Sequence, residues 1–534
     1  MKSKFNIKLL IGLLVLLSNA SYAQTDFSGY FDDIGRFGST MGPVGTARNQ
    51  AISGANTALG GDMSSMYNNP AGLGLMRKSE FSFSPGFTTA GTSTNYRSEN
   101  YTGNRGRLNI PQLGIVFANI KDPIEGGKFR GINIGIGMNR TNEYNNTYNF
   151  GGYAGRNIVQ TPVIINGDTA RDADGFNIFN INYDKVSYID YIRDLVDANG
   201  FGAANAVGNG DASFDELLVR QAFNGYLLDT NSAGQIRSFL PLSDMIQSGT
   251  ITTRGRQNSI DFAFGGNYDD KFFFGGGASI STGSFESVST LTESWTNIQP
   301  IYGQEDPINR RYANSSYTIK QTNAYSVTGI NLKAGAIYRI NEIVRVGASY
   351  QSPTWSNVSQ QYTNTLTNNW NNAPYGTGTL NTIIVSNLDE ENIPSYVYRL
   401  KTPGKLSAGL SIFFKKNGFI TFDADYIDYT QGSVSDKRNS SLSSQDRKVD
   451  RIYQQAVNIR IGGEYRYGKF RMRGGYSYQD SPYKKDFVEE QTSVYNSYAN
   501  AGITSISGGL GYREEDWYLD LTVVNRQYTN GMLG

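Results

Sequence analysis

Three observations in the 534-residue sequence predict an all-β fold, a transmembrane up-and-down antiparallel β-barrel. Apolar residues alternate with polar or small ones in segments that are joined in pairs by tight turns. The connections between segments alternate between short and long without exception, as in barrels with short periplasmic turns and long outer loops. Mean hydropathy is only −0.43, yet the chain holds 36 Tyr, 28 Phe and 61 Gly. That balance suits a wall whose lipid face takes every second residue.

The chain starts with the marks of a secretory leader. Lys2, Lys4 and Lys8 precede an apolar run from Leu9 to Leu17 broken only by Gly12, and Ser21 and Ala23 precede a cut at Gln24. Residues 1–23 are therefore expected to be a signal peptide, too short to span as a helix. No later stretch approaches ~20 continuous apolar residues, so helical spans are excluded. An exported barrel belongs in the outer membrane of a Gram-negative bacterium.

Residues 24–78 carry no strand rhythm. The run from Ala47 to Met76 is rich in Gly, Ala and other small residues, which can pack inside a crowded lumen where bulky side chains could not. Pro70 fixes its own φ and biases Asn69 toward extended backbone, and Gly72 permits a sharp turn. A hatch or plug over 24–78, ahead of a barrel over 79–534, fits this composition.

The strands expected are Ser79–Thr89, Pro111–Ile120, Phe129–Thr141, a pair around Ile260, Val327–Ile340, Val344–Tyr350, Lys405–Phe414, Phe419–Tyr429, Val457–Tyr467, Phe470–Tyr478, Ile503–Tyr512 and Trp517–Arg526. In the central pair Ile260, Phe262 and Phe264 face one way and Asp261, Ala263 and Gly265 the other. After a turn at Asp269-Asp270 the pattern resumes with Phe272, Phe274, Ala278 and Ile280. The count is thirteen, whereas a barrel that begins and ends in the periplasm needs an even number. The preferred expectation is that a final strand is missing from the sequence; the other is that one strand goes unrecognised. Long loops are expected at about 90–110, 142–256, 287–326, 351–404, 430–456 and 479–502. Within 142–256, Val186, Ile189, Ile192, Leu195 and Val196 have helical spacing, as do Phe214, Leu217, Leu218 and Ala222. The residues Ile189, Ile192, Leu195 and Leu218 form either a ligand groove at the outer mouth or a self-packed cap.

Composition excludes much chemistry. With no Cys and no His, disulfides, thiolate metal sites, Ser-His-Asp catalysis, HExxH zinc chemistry and histidine ligation of haem cannot be built. No enzyme, cofactor or metal is expected. A formal net charge of +1 supplies no electrostatic case for nucleic acid. The apolar-out pattern places Asp423, Asp425, Arg460, Glu464, Arg466, Arg471 and Arg473 on inner faces, because an arginine facing the bilayer midplane costs ~2–4 kcal/mol. They form a structural network, or Arg460, Arg471 and Arg473 hold a ligand carboxylate in a bidentate fork. Tyr338, Tyr350, Tyr465, Tyr467, Tyr476, Tyr478, Tyr512 and Trp517 stand near strand ends facing out, as interface girdles do.

The front segment resembles the FadL family of outer-membrane transporters for long-chain fatty acids and other hydrophobic compounds. The residues that carry the resemblance are Arg48, Gly54-Ala55, Ala58-Leu59, Asp62 and the hatch motif Asn69-Pro70-Ala71-Gly72-Leu73. Ser352-Pro353-Thr354, Thr402-Pro403 with Lys405, and Ser481-Pro482-Tyr483 echo it later in the chain. The resemblance implies a monomeric fourteen-stranded barrel in outer-membrane lipid, with an N-terminal hatch in its lumen. It also implies capture of a hydrophobic small molecule at the outer loops and exit through a side opening at a kink in the third strand. Gly135 and Gly137 lie in that strand and either permit the kink or make room for the hatch. Competing readings are a secretion or surface-assembly barrel with protein partners at its long loops, and haem uptake.

Overall fold

The computed structural model describes residues 32–528, apart from 97–98, 122–126, 155–157, 163, 166–167, 170–178, 184–186, 200–213, 231–235, 239–244, 296–315, 376–377, 387–395, 436–448 and 485–501. The leader expected over 1–23, Val186 and the last six residues lie outside the described set, as do the side chains of Phe214 and Leu217.

Among the described residues, alternation of apolar and small residues produces thirteen consecutive wall strands once collinear pieces are joined. They are β1 (Glu80–Tyr96), β2 (Glu99–Phe117), β3 (Phe129–Glu143, continued by Asn146–Ala154), β4 (Met245–Tyr268), β5 (Phe272–Trp295) and β6 (Ser316–Arg339). Then come β7 (Val344–Gln351, continued by Thr354–Tyr375), β8 (Tyr396–Thr402 and Lys405–Phe413) and β9 (Gly418–Asp428, continued by Ser433–Ser435). The last four are β10 (Gln455–Tyr467), β11 (Phe470–Gln479), β12 (Ile503–Arg513) and β13 (Tyr518–Tyr528). Each pairs antiparallel with the next, from β1 with β2 to β12 with β13. Among the described residues β13 and β1 share no ladder. Their ends meet instead through Tyr518 Oη, which donates to Glu80 Oε1 at 2.6 Å.

The period-2 rule holds along the wall. On β4, Phe262 and Phe264 are exposed and Asp261 and Ala263 buried. Exposed apolar side chains continue around the outside through Ile134, Leu332, Phe422, Leu510 and Leu521. An apolar belt of this extent is a lipid-facing surface and not that of a soluble protein.

Strands run further outward than the apolar alternation indicates. The loop expected at 90–110 is a hairpin, paired without a break from Thr88↔Arg107 to Tyr96↔Glu99. The loops expected at 142–256, 287–326 and 351–404 likewise contain the outer halves of β3 to β7. Those halves are rich in Ser, Thr and Asn. Their outward faces are polar and their inner faces mix buried Phe150, Ile251, Leu291 and Ile319 with Ser, Thr and Gln, so the hydrophobic period that marks a half-buried strand is broken up.

Among the described residues, two helices cap the outer end, α4 (Tyr188–Asn199) and α5 (Phe214–Asn224), after three short ones in the N-terminal segment. Ile189, Ile192 and Leu218 are buried in one cluster with Tyr96, Phe150, Leu291, Tyr317 and Leu366, and Leu195 packs at its edge. In this conformation Ile189, Ile192 and Leu218 are in the core of a self-packed cap, with Leu195 at its margin. They do not line an open groove, because strand extensions cover the apolar stripe of both helices.

Candidate functional site

The N-terminal segment from Asp32 to Met76 lies inside the curl of the sheet and touches inner faces from β2 to β13. Gln112 of β2 approaches Met63 Sδ at 3.2 Å, Ser507 of β12 accepts from Ser53 N at 3.1 Å, and Thr522 of β13 donates to Ala47 O at 2.6 Å. One segment can reach all of these only if the sheet wraps around it.

The motif residues Asn69 to Leu73 are all buried. Asn69 caps a 3₁₀ helix, Pro70–Leu75, by accepting the Ala71 N–H at 3.1 Å, and donates to Thr57 O at 2.7 Å. Pro70 sits at the first helical position, where its missing donor costs nothing. Leu73 packs with Met63, Met66, Met76, Val116 and Ala263, and Asn133 of β3 donates to Leu73 O and Met76 O at 2.7 and 2.8 Å.

A band of inward glycines receives this segment. A Cβ on Gly275 would stand 2.4 Å from Pro70 C, on Gly347 2.4 Å from Thr57 O, on Gly462 2.5 Å from Ile52 O and on Gly475 2.5 Å from Ile52 C. Gly265, Gly275 and Gly335 share one register row across β4, β5 and β6. The wall is stripped of side chains where foreign backbone passes close. The same holds at Gly135 and Gly137, whose added Cβ would meet Met66 at 2.8 and 2.7 Å. Both lie in the part of β3 that is paired to β2 and β4, so here they make room for Met66.

The inner charges pair with each other. Arg460 binds Asp425 at 2.6 Å and lies 3.8 Å from Asp423, whose other contacts are the N–H groups of Asn56 and Thr57 at 2.8 Å each. Arg473 binds Glu464 and Asp520 at 2.7 and 2.6 Å. Arg471 turns to the backbone oxygens of Gly468 and Phe470 at the rim. Arg460 and Arg473 are thus engaged by carboxylates and Arg471 by backbone oxygens, while Arg460 Nε and Arg473 Nη2 have no hydrogen-bond partner among the described residues. In the N-terminal helix, burial pushes the Asp33 carboxyl up, opposed by the Arg36 guanidinium and by a hydrogen bond from Tyr398.

A cation that charge patterning did not single out stands closer to open space. Lys405 lines a cavity of about 60 Å³ with Tyr67, Tyr429, Tyr483, Ile427 and Asp425. Its ammonium lies 5.4 Å from the centre of the Tyr67 ring, and Lys333 lies 4.3 Å from that ring while binding Asp261 at 2.7 Å. No acid among the described residues lies within ion-pair distance of Lys405. Its place after Thr402-Pro403 was the only signal in the sequence.

Besides the β13/β1 seam, the ladder between β2 and β3 is incomplete. β2 pairs with β3 only from Gln112↔Asn139 to Phe117↔Ile134. Above that, Pro111 has no N–H to give, and side chains bridge the two strands: Arg107 donates to Asn145 at 3.1 Å and Asn149 to Thr102 O at 2.9 Å. Residues 36–41 of the N-terminal segment lie directly behind. Tyr144 donates to Arg36 O at 2.8 Å, Asn142 accepts from Met41 N at 2.7 Å, and Phe37 packs edge-on against Tyr144.

No protein-family model and no curated protein matches the sequence. Among solved structures, the chain is similar to a FadL homologue of Pseudomonas aeruginosa, at 11% identity and TM-score 0.47, over 92% of this chain and 91% of that one. It is also similar to the CymD monoaromatic hydrocarbon channel, at 14% identity and TM-score 0.42, over 92% and 93%. The Ralstonia pickettii toluene transporter TbuX aligns at 14% identity and TM-score 0.41, over 91% and 99%. These likenesses, at 11–14% identity, are too distant to bear on residue roles.

Proposed function

We propose that the chain is an outer-membrane passive channel that takes up hydrophobic small molecules through a lumen plugged by its N-terminal segment. The observation that carries this reading is the filled lumen inside an apolar belt. Polar solutes need a continuous water path, and residues 32–76 occupy the space where it would run. The cavity of about 60 Å³ beside them is smaller than the ~150 Å³ site that holds benzene in an engineered cavity. A ligand therefore has to displace part of the segment.

The unpaired stretch between β2 and β3, backed by residues 36–41, is the route we assign between the lumen and the outer head-group edge of the bilayer. Displacement of Phe37 and Met41 would join the lumen to the lipid there. The resemblance carried by Asn69 to Leu73 points to hydrophobic substrates, and Lys405 supplies a cation for the carboxylate of a fatty-acid-like ligand. The test is uptake of a labelled fatty acid and of a labelled aromatic hydrocarbon by cells with and without the protein, together with ion conductance in planar bilayers. Slower uptake without it and negligible conductance are expected. A large steady conductance with unchanged uptake overturns the reading.

A further inference from the structure

We propose that the outer rim of the wall at β2 to β4 binds the phosphate groups of an anionic membrane lipid through Arg105, Arg254 and Arg256. The proposal rests on the placement of the chain in an outer membrane, with the tight turns on the periplasmic side.

Arg254 and Arg256 are exposed and share the even-numbered face of β4 with Phe262 and Phe264, so they project to the lipid side of the wall. Along a strand tilted ~40° and rising ~3.3 Å per residue, Arg256 lies roughly 30 Å above Tyr268, where the hydrocarbon band of ~25 Å has ended. Arg105 and Arg107 stand at a similar height on β2, and Arg140 on β3. These guanidiniums are at the level of the outer head groups.

The charge there is not balanced. Glu143 takes Arg140 in an ion pair and lies 3.6 Å from Arg107. Register places Glu143 beside Arg256 and Glu286 beside Arg254. Five arginines thus face two glutamates, a surplus of three positive charges. Arg105, Arg254 and Arg256 have no acid within ion-pair distance among the described residues, and Arg105 is close enough to Arg254 and Arg107 to be repelled by both. Guanidinium forks match phosphate oxygens in pairs, and a phosphate monoester brings up to two charges to such a cluster. Phe262 and Phe264, exposed below Arg254 and Arg256 on the same face of β4, give the acyl chains a surface.

The experiment uses the full chain in detergent, presented with a diphosphorylated glycolipid or with its dephosphorylated counterpart, and lipid retained per protein is read by native mass spectrometry. The expected result is retention of the phosphorylated form over the other, with the preference reduced on the order of tenfold or more in the Arg254→Gln/Arg256→Gln variant. Arg105→Gln should reduce it by a smaller factor. Equal retention of both lipids, or an undiminished preference in the double variant, overturns the proposal. Displacement of the lipid by millimolar inorganic phosphate marks a solute-anion site and overturns the lipid assignment. Because retention is read without transport, failure of hydrophobic uptake would strike the proposed function and leave this result standing.

Discussion

Gly475→Ala should loosen the N-terminal segment, and the neighbouring Gly474→Ala should not. The new Cβ at position 475 would lie 2.5 Å from Ile52 C and 2.6 Å from Ser53 N, whereas at 474 the nearest atom is 4.0 Å away. Ordinary contact needs about 3.4 Å or more, so the backbone at Ile52-Ser53 must retreat by close to 1 Å. That retreat strains the hydrogen bonds that Ser53 makes to Ser507, at 3.1 Å from its N–H and 2.7 Å between hydroxyls. Overpacking costs ~1–3 kcal/mol and a weakened buried hydrogen bond adds ~1 kcal/mol, a total of about 2–4 kcal/mol against the seated segment. At ~1.4 kcal/mol per factor of ten, the displaced population rises on the order of 30-fold or more. Limited proteolysis of the folded protein, read as the rate of cleavage within residues 32–76, measures that population when opening is fast relative to cleavage. Equal cleavage rates for the two variants would refute the claim that the inner glycines exist to seat this segment.

Other substitutions probe the remaining parts. Arg473→Leu removes the cation shared by Glu464 and Asp520, leaving Glu464 with Arg466 and Arg48 and Asp520 with Arg513 at 3.9 Å, and should cost ~1–3 kcal/mol, measured as a lowered denaturant midpoint. Lys405→Gln should weaken retention of a fatty acid several-fold while leaving retention of a neutral hydrocarbon unchanged, as read by equilibrium binding; equal losses would remove the carboxylate role of Lys405. In the outer cap, some twenty residues beyond the turn and well clear of the bilayer, burial pushes the Glu293 carboxyl up to about 7, with hydrogen bonds from Tyr317 and Gln247 opposing. A carboxyl raised in the folded state keeps its proton between 4.5 and about 7 where the unfolded chain has lost it. The cap is therefore most stable below pH 4.5 and loses a few kcal/mol as pH rises through about 7. Hydrogen exchange of Tyr188–Asn199 should quicken across that window, and Glu293→Gln should flatten the dependence.

Much of the wall is legible in the chain because lipid imposes a period of two. Ile132, Ile134 and Ile136, or Leu519, Leu521 and Val523, can only be lipid-facing rows of strands, and the turns at Asp269-Asp270 and Gly468-Lys469 follow from the breaks between rows. That logic ends where the bilayer ends. The outer halves of β1 to β7 face water on one side, and their inner faces interleave Phe150, Ile251, Leu291 and Leu366 with polar residues, so their many Ser, Thr and Asn residues blur the period and read as loops. The small residues of 47–76 likewise announce a segment suited to a crowded interior, without saying which strand each residue meets.

Only the tertiary structure decides those partners, because they are contacts between different strands and segments, some of them hundreds of residues apart. Asp423 is committed to the N–H groups of Asn56 and Thr57, and Arg460 and Arg473 to carboxylates on other strands, so charges that look free along the chain are already paired. Gly135 and Gly137 are read as a kink or as space for the hatch until Met66 is found above them. The alternation by itself determined a lipid-facing antiparallel wall, since the side-chain period is local. Where the wall is left unpaired, what fills it and which cation faces its cavity depend on three-dimensional contact, and no local pattern carries that information.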